Sequence, residues 1–242
     1  MRLPLLLLTL TTALTCGAAS ATTYQYKVAK RGLTTTAPAL TPIATGDGTS
    51  KAGACASGAQ STCIAWNATG VDPRITVSGT PLLSVRTTDC HRTSDNSCTV
   101  RGMKSYSSGK WYWEYTITAV ATGGGGFVFG AVESGGTLDN LGVGYYTYNS
   151  GTLSGYAVGP LTNKGYQLGD VFGFALDMDA KTLYATRNGL PLFGGALPAS
   201  MRAAVTPAAG EHWYVQPNSL LANFGKSNFQ YAVPTGFNAG LW

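Results

Sequence analysis

The amino-acid sequence predicts an all-β protein, a two-sheet antiparallel β-sandwich that follows an export segment and an irregular leader. Many short runs of β-branched and aromatic residues are separated by turn signals, at a spacing of roughly ten residues. No stretch has the sustained period of a long amphipathic helix. No repeat of fixed length runs through the chain, which argues against a propeller or a solenoid.

The composition is that of a globular chain with little charge. Its 242 residues include 32 glycines, 44% hydrophobic residues and 11% charged residues, against about 25% charged residues in an ordinary soluble domain. There is enough apolar material for one sizeable core, and the low charge argues against a disordered chain. The net charge of +5 is not gathered into a basic stripe, so no nucleic acid is expected as a partner.

Residues 1–21 have the features of a secretory signal peptide. A basic residue follows Met1, an apolar run of about a dozen residues comes next, and Ala19-Ser20-Ala21 offers a small-residue cleavage site. The run is shorter than the ~20 apolar residues of a membrane span, so no stable membrane insertion is expected after the signal is removed. We expect a secreted protein, or one that is periplasmic or at the cell surface. A bacterial origin is favoured, and lipidation of Cys16 is the alternative to cleavage after Ala21.

Four of the five cysteines remain after the signal is removed, and an even number in an exported chain predicts two disulfides. Cys55 with Cys63, and Cys90 with Cys98, would each close a loop of about nine residues, the pairing with the smallest loop-closure entropy. The sequence alone leaves all three possible pairings open. A four-cysteine zinc site is disfavoured, because its ligands generally stand about two to four residues apart.

The mature chain divides into a leader and a β domain. Residues 22–61 are rich in Thr, Ala, Gly, Ser and Pro and have no sustained strand or helix period. Residues 62–242 are consistently β in pattern. Strands are predicted in order at 74–78, 81–86, 110–120, 127–132, 171–176, 182–186, 213–215 and 220–224.

The clearest of these strands is 110–120, in which successive side chains alternate between two faces. The set predicted to face the core is Trp111, Trp113, Tyr115 and Ile117. The other face carries Tyr112, Glu114, Thr116 and Thr118.

Turn signals separate the predicted strands. Ser78-Gly79 divides the first two, and a run of glycines at 123–126 precedes strand 127–132. Residues 177–180 are predicted to form a tight hairpin. Asn188-Gly189 marks a further turn, because both residues tolerate the positive φ that hairpin turns require.

Several segments, in a fixed order between residues 63 and 242, carry a resemblance to a known family. They are 75–78, 100–101, 108–114, 169–177, 187–189 and 222–225, followed by Phe229. In these segments the chain resembles the SPRY domain, a sandwich of the concanavalin A-like, jelly-roll kind. The resemblance implies two packed antiparallel sheets and a protein or peptide partner, which is bound by loops at one rim. It also implies that the domain is not catalytic.

The residues themselves give little support for catalysis. Glycoside hydrolysis, which a concanavalin-like sandwich can also perform, needs two carboxylates ~5–9 Å apart. Asp177 and Asp179 are the sole i, i+2 acidic pair, and they fall in a predicted turn, where Asp is common for backbone reasons. Neither a nucleophilic serine motif nor a phosphate-binding loop is present. We therefore expect no enzyme activity, no cofactor and no metal.

A tyrosine-rich segment supplies the candidate binding surface, since tyrosine is enriched at recognition sites. The candidate ligand-binding residues are Tyr145, Tyr146, Tyr148 and Tyr156, with Gly124 and Gly125 of the glycine run. A shallow site for a protein or peptide, or for a glycan, is the hypothesis, and core packing of the tyrosines is its structural alternative. The alternative function is a lectin-like carbohydrate-binding protein or a glycoside hydrolase.

Overall fold

The computed structural model describes residues 50–88, 98–120, 127–136, 143–146, 166–211 and 217–242. These residues form eleven strands and one short 3₁₀ helix, Ala199–Met201. The strands are β1 (Ile75–Ser78), β2 (Ser84–Thr87), β3 (Cys98–Arg101), β4 (Lys110–Ala119), β5 (Phe127–Glu133), β6 (Val143–Tyr146), β7 (Val171–Asp177), β8 (Thr182–Arg187), β9 (Leu190–Ala196), β10 (Val205–Glu211) and β11 (Ser219–Asn223).

The strands form two sheets in which every pairing is antiparallel. The larger sheet has seven strands in the order β1-β2-β11-β4-β7-β8-β9, and the smaller has four in the order β3-β10-β5-β6. Buried side chains from both sheets make one apolar cluster between them. The predicted all-β, two-sheet antiparallel sandwich is therefore confirmed.

Large aromatic side chains fill the space between the sheets. Trp113 of β4 stacks on Phe174 of β7, with ring centroids 5.4 Å apart, and both are fully buried. Trp66 stacks on Tyr115 at 5.7 Å. The predicted core face of β4 is confirmed, with Trp111 at its beginning only partly buried. Aromatic pairs of this kind contribute more than their buried area alone.

The first half of the second face of β4, Tyr112 and Glu114, is buried as well, although these residues are more polar. Tyr112 and Glu114 are each only 3% exposed. The C-terminal segment 224–242 lies against them, because Phe229 and Val233 pack on Tyr112 and the N–H groups of residues 230 and 231 donate to Glu114. Alternation in the sequence assigns these side chains to a face, and it cannot reveal what covers that face.

Strands β3, β6, β9 and β10 are missing from the strands that the sequence predicts. β9 contains Pro191 and two glycines, and β10 contains Pro207 and Gly210. Proline and glycine are depleted in strands, so the composition of both segments hides them. All seven residues of β10 are nevertheless buried, since it is a central strand of the smaller sheet. The late strand predicted at 213–215 lies outside the described residues.

Residues 50–66 are fastened to the C-terminal segment. The N–H of Ala54 donates to the Ala239 carbonyl (2.7 Å), and the N–H of Ile64 donates to the Leu241 carbonyl (2.9 Å). A disulfide joins Cys55 to Cys63, as the short-loop pairing predicts. Part of the segment that composition assigns to the leader is thus packed on the sandwich.

Of the two cysteines in the second predicted disulfide, the structure describes one. Cys98 is fully buried at the beginning of β3 and is disulfide-bonded. Its predicted partner, Cys90, lies outside the described residues, so the pairing of these two cysteines stays a prediction.

Candidate functional site

One rim of the sandwich, here named the upper rim, collects the ends of many strands. β2, β4, β6 and β10 end there, and β3, β5, β7 and β11 begin there. Pairing fixes this arrangement within each sheet, since Glu211 at the end of β10 lies opposite both Cys98 and Phe127. Ser219 likewise lies opposite Ala119. The hydrogen bond between Glu211 and Thr87 at the end of β2 shows that the two sheets share this rim. The opposite end of the sandwich is named the lower rim.

Two of the sequence-predicted binding residues, Tyr145 and Tyr146, lie at the upper rim. Tyr145 and Tyr146 are the last residues of β6, and Tyr146 lies opposite Val128 near the beginning of β5. Gly124, Gly125, Tyr148 and Tyr156 lie outside the described residues, and the binding role of all six residues stays a prediction.

Two turns at the upper rim are joined by Asp170. Its carboxylate accepts hydrogen bonds from the side chains of Arg187 and Asn188, the latter at 2.7 Å. Asn188 also accepts from the N–H of Val171 (2.9 Å) and donates its own N–H to the Val171 carbonyl (2.8 Å). Asn188 and Gly189 have positive φ, which confirms the predicted turn at these two residues. The turns at 168–169 and 188–189 are thereby held rigidly together.

Each of these turns presents an exposed leucine. Leu168 is 70% exposed and Leu190 is 71% exposed. Val120, which follows β4 at the same rim, is also exposed. Single exposed leucines scattered over a surface are ordinary. Here the two leucines lie at turns that the Asp170 carboxylate joins, so together they form a preorganised apolar feature.

A buried polar cluster lies directly beneath the upper rim. Glu211 is fully buried, and its carboxyl group accepts hydrogen bonds from the hydroxyl of Thr87 and the side-chain amide of Asn218 (2.9 Å). Tyr166 donates its hydroxyl to the Asn218 side-chain oxygen (2.9 Å). Burial raises the pKa of Glu211 to about 7, and the hydrogen bonds from Thr87 and Asn218 oppose that rise.

The acidic pair considered for catalysis lies at the lower rim and stabilises a turn there. Asp177 accepts the N–H groups of Asp179 (3.0 Å) and Ala180 (2.8 Å) and pairs with Lys110. Asp179 accepts the N–H of Gly109 (2.8 Å). Partial burial of Asp177 favours a higher pKa. The hydrogen bonds from Ala180 and Lys110 outweigh that effect, so the pKa of Asp177 is lowered. Asp177 is therefore engaged by its own hairpin and by Lys110, and Asp179 by the N–H of Gly109 just before β4.

Neither a metal site nor a membrane-spanning helix is present in the described ranges. Residues 50–88, 98–120, 127–136, 143–146, 166–211 and 217–242 hold no cluster of three or more His, Cys, Asp or Glu side chains that could bind a metal ion. The same ranges contain no helix with the length and hydropathy needed to span a bilayer.

Sequence reasoning missed Leu168, Leu190, Asp170 and Glu211. One signal was available for Glu211, because it is a single acid in an otherwise apolar and small-residue run, 203–211. A lone charge in a buried strand is seldom there without a role, since burial of an unpaired charge is costly. No comparable signal marks the two leucines.

Among known proteins, the chain shows similarity only to solved structures. No family model matches the chain, and no curated protein matches it. The chain is similar to the SPRY domain of human HERC1, with a TM-score of 0.47 and 17% identity, over 66% of this chain and 99% of that one. It is also similar to the TRIM65 PSpry domain, with a TM-score of 0.45 and 15% identity, over 67% of this chain and 90% of that one.

Proposed function

We propose that this chain is a secreted, non-catalytic binding module of the SPRY type, which recognises a protein or peptide partner through its upper rim. The observation that carries the proposal is the pair of exposed leucines, Leu168 and Leu190, on turns that Asp170 joins at that rim. The motif resemblance in the sequence is consistent with this choice, because it implies binding by loops at one rim, although it does not specify which.

The chemistry of the exposed side chains favours a protein over a sugar. Among described residues at the upper rim, the large exposed apolar side chains are aliphatic, namely Val120, Leu168 and Leu190. Sugars are better matched by aromatic faces beside polar groups. Because the two leucine-bearing turns are already fixed, little conformational entropy is lost when a partner covers them.

The state of the described carboxylates supports a non-catalytic role. Asp177 and Asp179 are engaged by backbone N–H groups at the lower rim. Glu114 and Glu211 are buried on separate strands, β4 and β10, with hydrogen-bonding partners of their own. None of these four offers the open pair, flanking a substrate, that glycoside hydrolysis needs.

Replacing both Leu168 and Leu190 by serine should weaken partner binding by at least about tenfold, since each buried leucine contributes ~1.5–3 kcal/mol. Both side chains are exposed, so the thermal unfolding midpoint should stay within about 2 °C of the parent. The measurement begins with capture of partners from extracts of the source organism, with residues 22–242 as bait. Binding of the identified partner is then titrated against each variant.

The matched control is Met103→Ser, because Met103 is 66% exposed and lies beyond β3 at the lower rim. It should bind as the parent does.

A Tyr146→Ala, Tyr148→Ala double variant should also bind weakly with a nearly unchanged thermal transition, and loss of folding would assign those tyrosines to the core. Undiminished binding by the leucine variant would contradict the proposed surface. Specific binding on a glycan array run in parallel would favour the lectin alternative.

Export is a separate part of the proposal and has its own measurement. Intact-mass spectrometry of the exported protein should give a chain that begins at Thr22. A diacylglyceryl adduct on Cys16 would instead identify a lipoprotein, and an unprocessed chain that stays inside the cell would contradict export.

A further inference from the structure

Glu211 connects the two sheets at the upper rim. It is the last residue of β10 in the smaller sheet, and its side chain reaches the hydroxyl of Thr87, the last residue of β2 in the larger sheet. Its second carboxyl oxygen accepts from the side chain of Asn218, one residue before β11. Asn218 in turn accepts from Tyr166. One carboxyl group thus organises three separate parts of the chain.

No cation balances this carboxyl group within the described residues. The groups that interact with it are Thr87 and Asn218, neither of which carries a charge. Arg86, the charged residue nearest in β2, is exposed and points to the opposite face of its sheet. Tyr166 is the titratable group linked through Asn218, and Cys98 opposite Glu211 is disulfide-bonded. His91 and His212 lie outside the described residues.

The hydrogen bonds around Glu211 can be satisfied in either protonation state. When the carboxyl group is ionised, the Thr87 hydroxyl donates to it. When the carboxyl group has taken a proton from solvent, it can donate to the Thr87 oxygen, and the Thr87 hydroxyl can turn to the Asn218 carbonyl, 3.3 Å away. The Asn218 side chain donates to the other carboxyl oxygen in both states. A proton can therefore be gained or lost without a change of packing.

We propose that Glu211 is a proton-operated clamp between the two sheets, in which the neutral carboxyl group holds the base of the upper rim together and ionisation weakens that hold. A buried carboxylate without a cation is less stable than the neutral acid, which is why ionisation works against the folded arrangement. The inference concerns the base of the rim and does not rest on the proposed function. If partners do bind the rim, their binding becomes sensitive to pH near neutrality.

The direction of the pH effect follows from the raised pKa. The ordinary value for Glu is 4.5, and the folded-state pKa is about 7. An unfolded chain loses this proton near its ordinary value, whereas the folded chain keeps it until the higher one. The stabilisation from Glu211 is therefore complete below about pH 4.5 and is lost as pH rises through about 7. The equilibrium constant for unfolding should rise on the order of 100-fold across that window.

The most direct test is a carboxyl carbon NMR titration of the unmodified chain. The sequence contains only three glutamates, Glu114, Glu133 and Glu211, so the signal of Glu211 is assigned by its absence from a Glu211→Gln variant. We expect a titration midpoint near neutrality. A midpoint close to the ordinary value of a glutamate would overturn the proposal. Sequential backbone and side-chain assignment of the unmodified chain identifies the same signal, so the measurement decides the matter even where the variant fails to fold.

Glu211→Gln tests the effect on stability. A glutamine amide can donate to the Thr87 oxygen and accept from Asn218, so the variant imitates the neutral acid at every pH. Its urea unfolding midpoint should fall less than that of the parent between pH 5 and pH 8. Glu133→Gln, which removes a carboxyl group at the far end of β5, is the matched control and should follow the parent. Parallel profiles of parent and Glu211→Gln would refute the clamp.

Hydrogen exchange tests the clamp itself. The amides of Thr87 and Asn218 should be less protected in the parent than in Glu211→Gln at pH 8, and equally protected at pH 5. Thr87→Val should move the Glu211 midpoint further upward, because the Thr87 hydrogen bond favours the ionised form. Equal protection at both pH values, or a downward movement in Thr87→Val, would count against the proposal.

Discussion

Replacing Trp66 by alanine should lower the free energy of unfolding by about 3–5 kcal/mol, as truncation of a buried tryptophan commonly does. Trp66 is fully buried between a stacked Tyr115 and the edge of Phe224, whose ring centroid is 5.0 Å away. Its indole N–H donates to the Leu83 carbonyl (2.9 Å). The alanine variant therefore loses aromatic packing, leaves a cavity and frees a carbonyl group. Urea denaturation monitored by far-UV circular dichroism measures the loss.

Two variants make this result interpretable. Trp66→Phe keeps most of the ring contact and loses the hydrogen bond, so its stability should lie between those of the parent and Trp66→Ala. Leu221→Ala is the control, because Leu221 is 45% exposed and its truncation should change stability by less than about 1 kcal/mol. If Trp66→Ala unfolded at the same urea concentration as Leu221→Ala, the assigned position of Trp66 in the core would be wrong.

Replacing Glu114 by leucine is expected to cost about 2–4 kcal/mol, because one buried and two partly buried donors then lose their acceptor. The Tyr112 hydroxyl (2.9 Å) and the N–H groups of Gln230 (2.8 Å) and Tyr231 (2.9 Å) all donate to this carboxyl group. Burial raises the pKa of Glu114. The hydrogen bonds from the two backbone N–H groups and from the Tyr112 hydroxyl act in the opposite direction. The C-terminal segment should therefore loosen from β4 first, which amide exchange at residues 230 and 231 would detect.

Glu114→Gln is an informative comparison for this prediction. The glutamine oxygen can still accept, but its NH₂ group points at a backbone donor that cannot reverse, so part of the cost should persist. At Glu211 the neighbouring hydroxyl can reverse, and the same substitution should be tolerated. A Glu114→Leu variant as stable as the parent, with unchanged amide exchange, would show that the C-terminal segment is held by other contacts.

The strands rich in aromatic and β-branched residues were predictable from the sequence. In β4 and β7 the periodic bulky side chains alone place the core face. β10 could not be found in this way, because alanine, glycine and proline have little strand preference. It becomes a strand because β3 and β5 pair with it on both sides, and that stabilisation comes from residues far away in the chain.

The candidate site was predictable only in outline. The motif resemblance implied binding at one rim, and the strand pairing places the end of β6, with Tyr145 and Tyr146, beside the beginning of β5. Glu211 and Thr87, by contrast, are 124 positions apart, and their contact exists only after both sheets have packed. The anchoring of two leucine-bearing turns by Asp170 likewise depends on which strand ends meet. Local sequence patterns contain neither kind of information.

The fastening of residues 50–66 to the C-terminal segment has a practical consequence for handling the protein. Trp242 packs on Trp111 and accepts from Lys104, both at the lower rim, and Ala54 is bonded to Ala239 nearby. An affinity tag, fluorophore or solid support attached after Trp242 would leave the surface with Leu168 and Leu190 pointing away from the point of attachment. The same proximity makes the sandwich suited to circular permutation or to insertion as a cassette within a host protein.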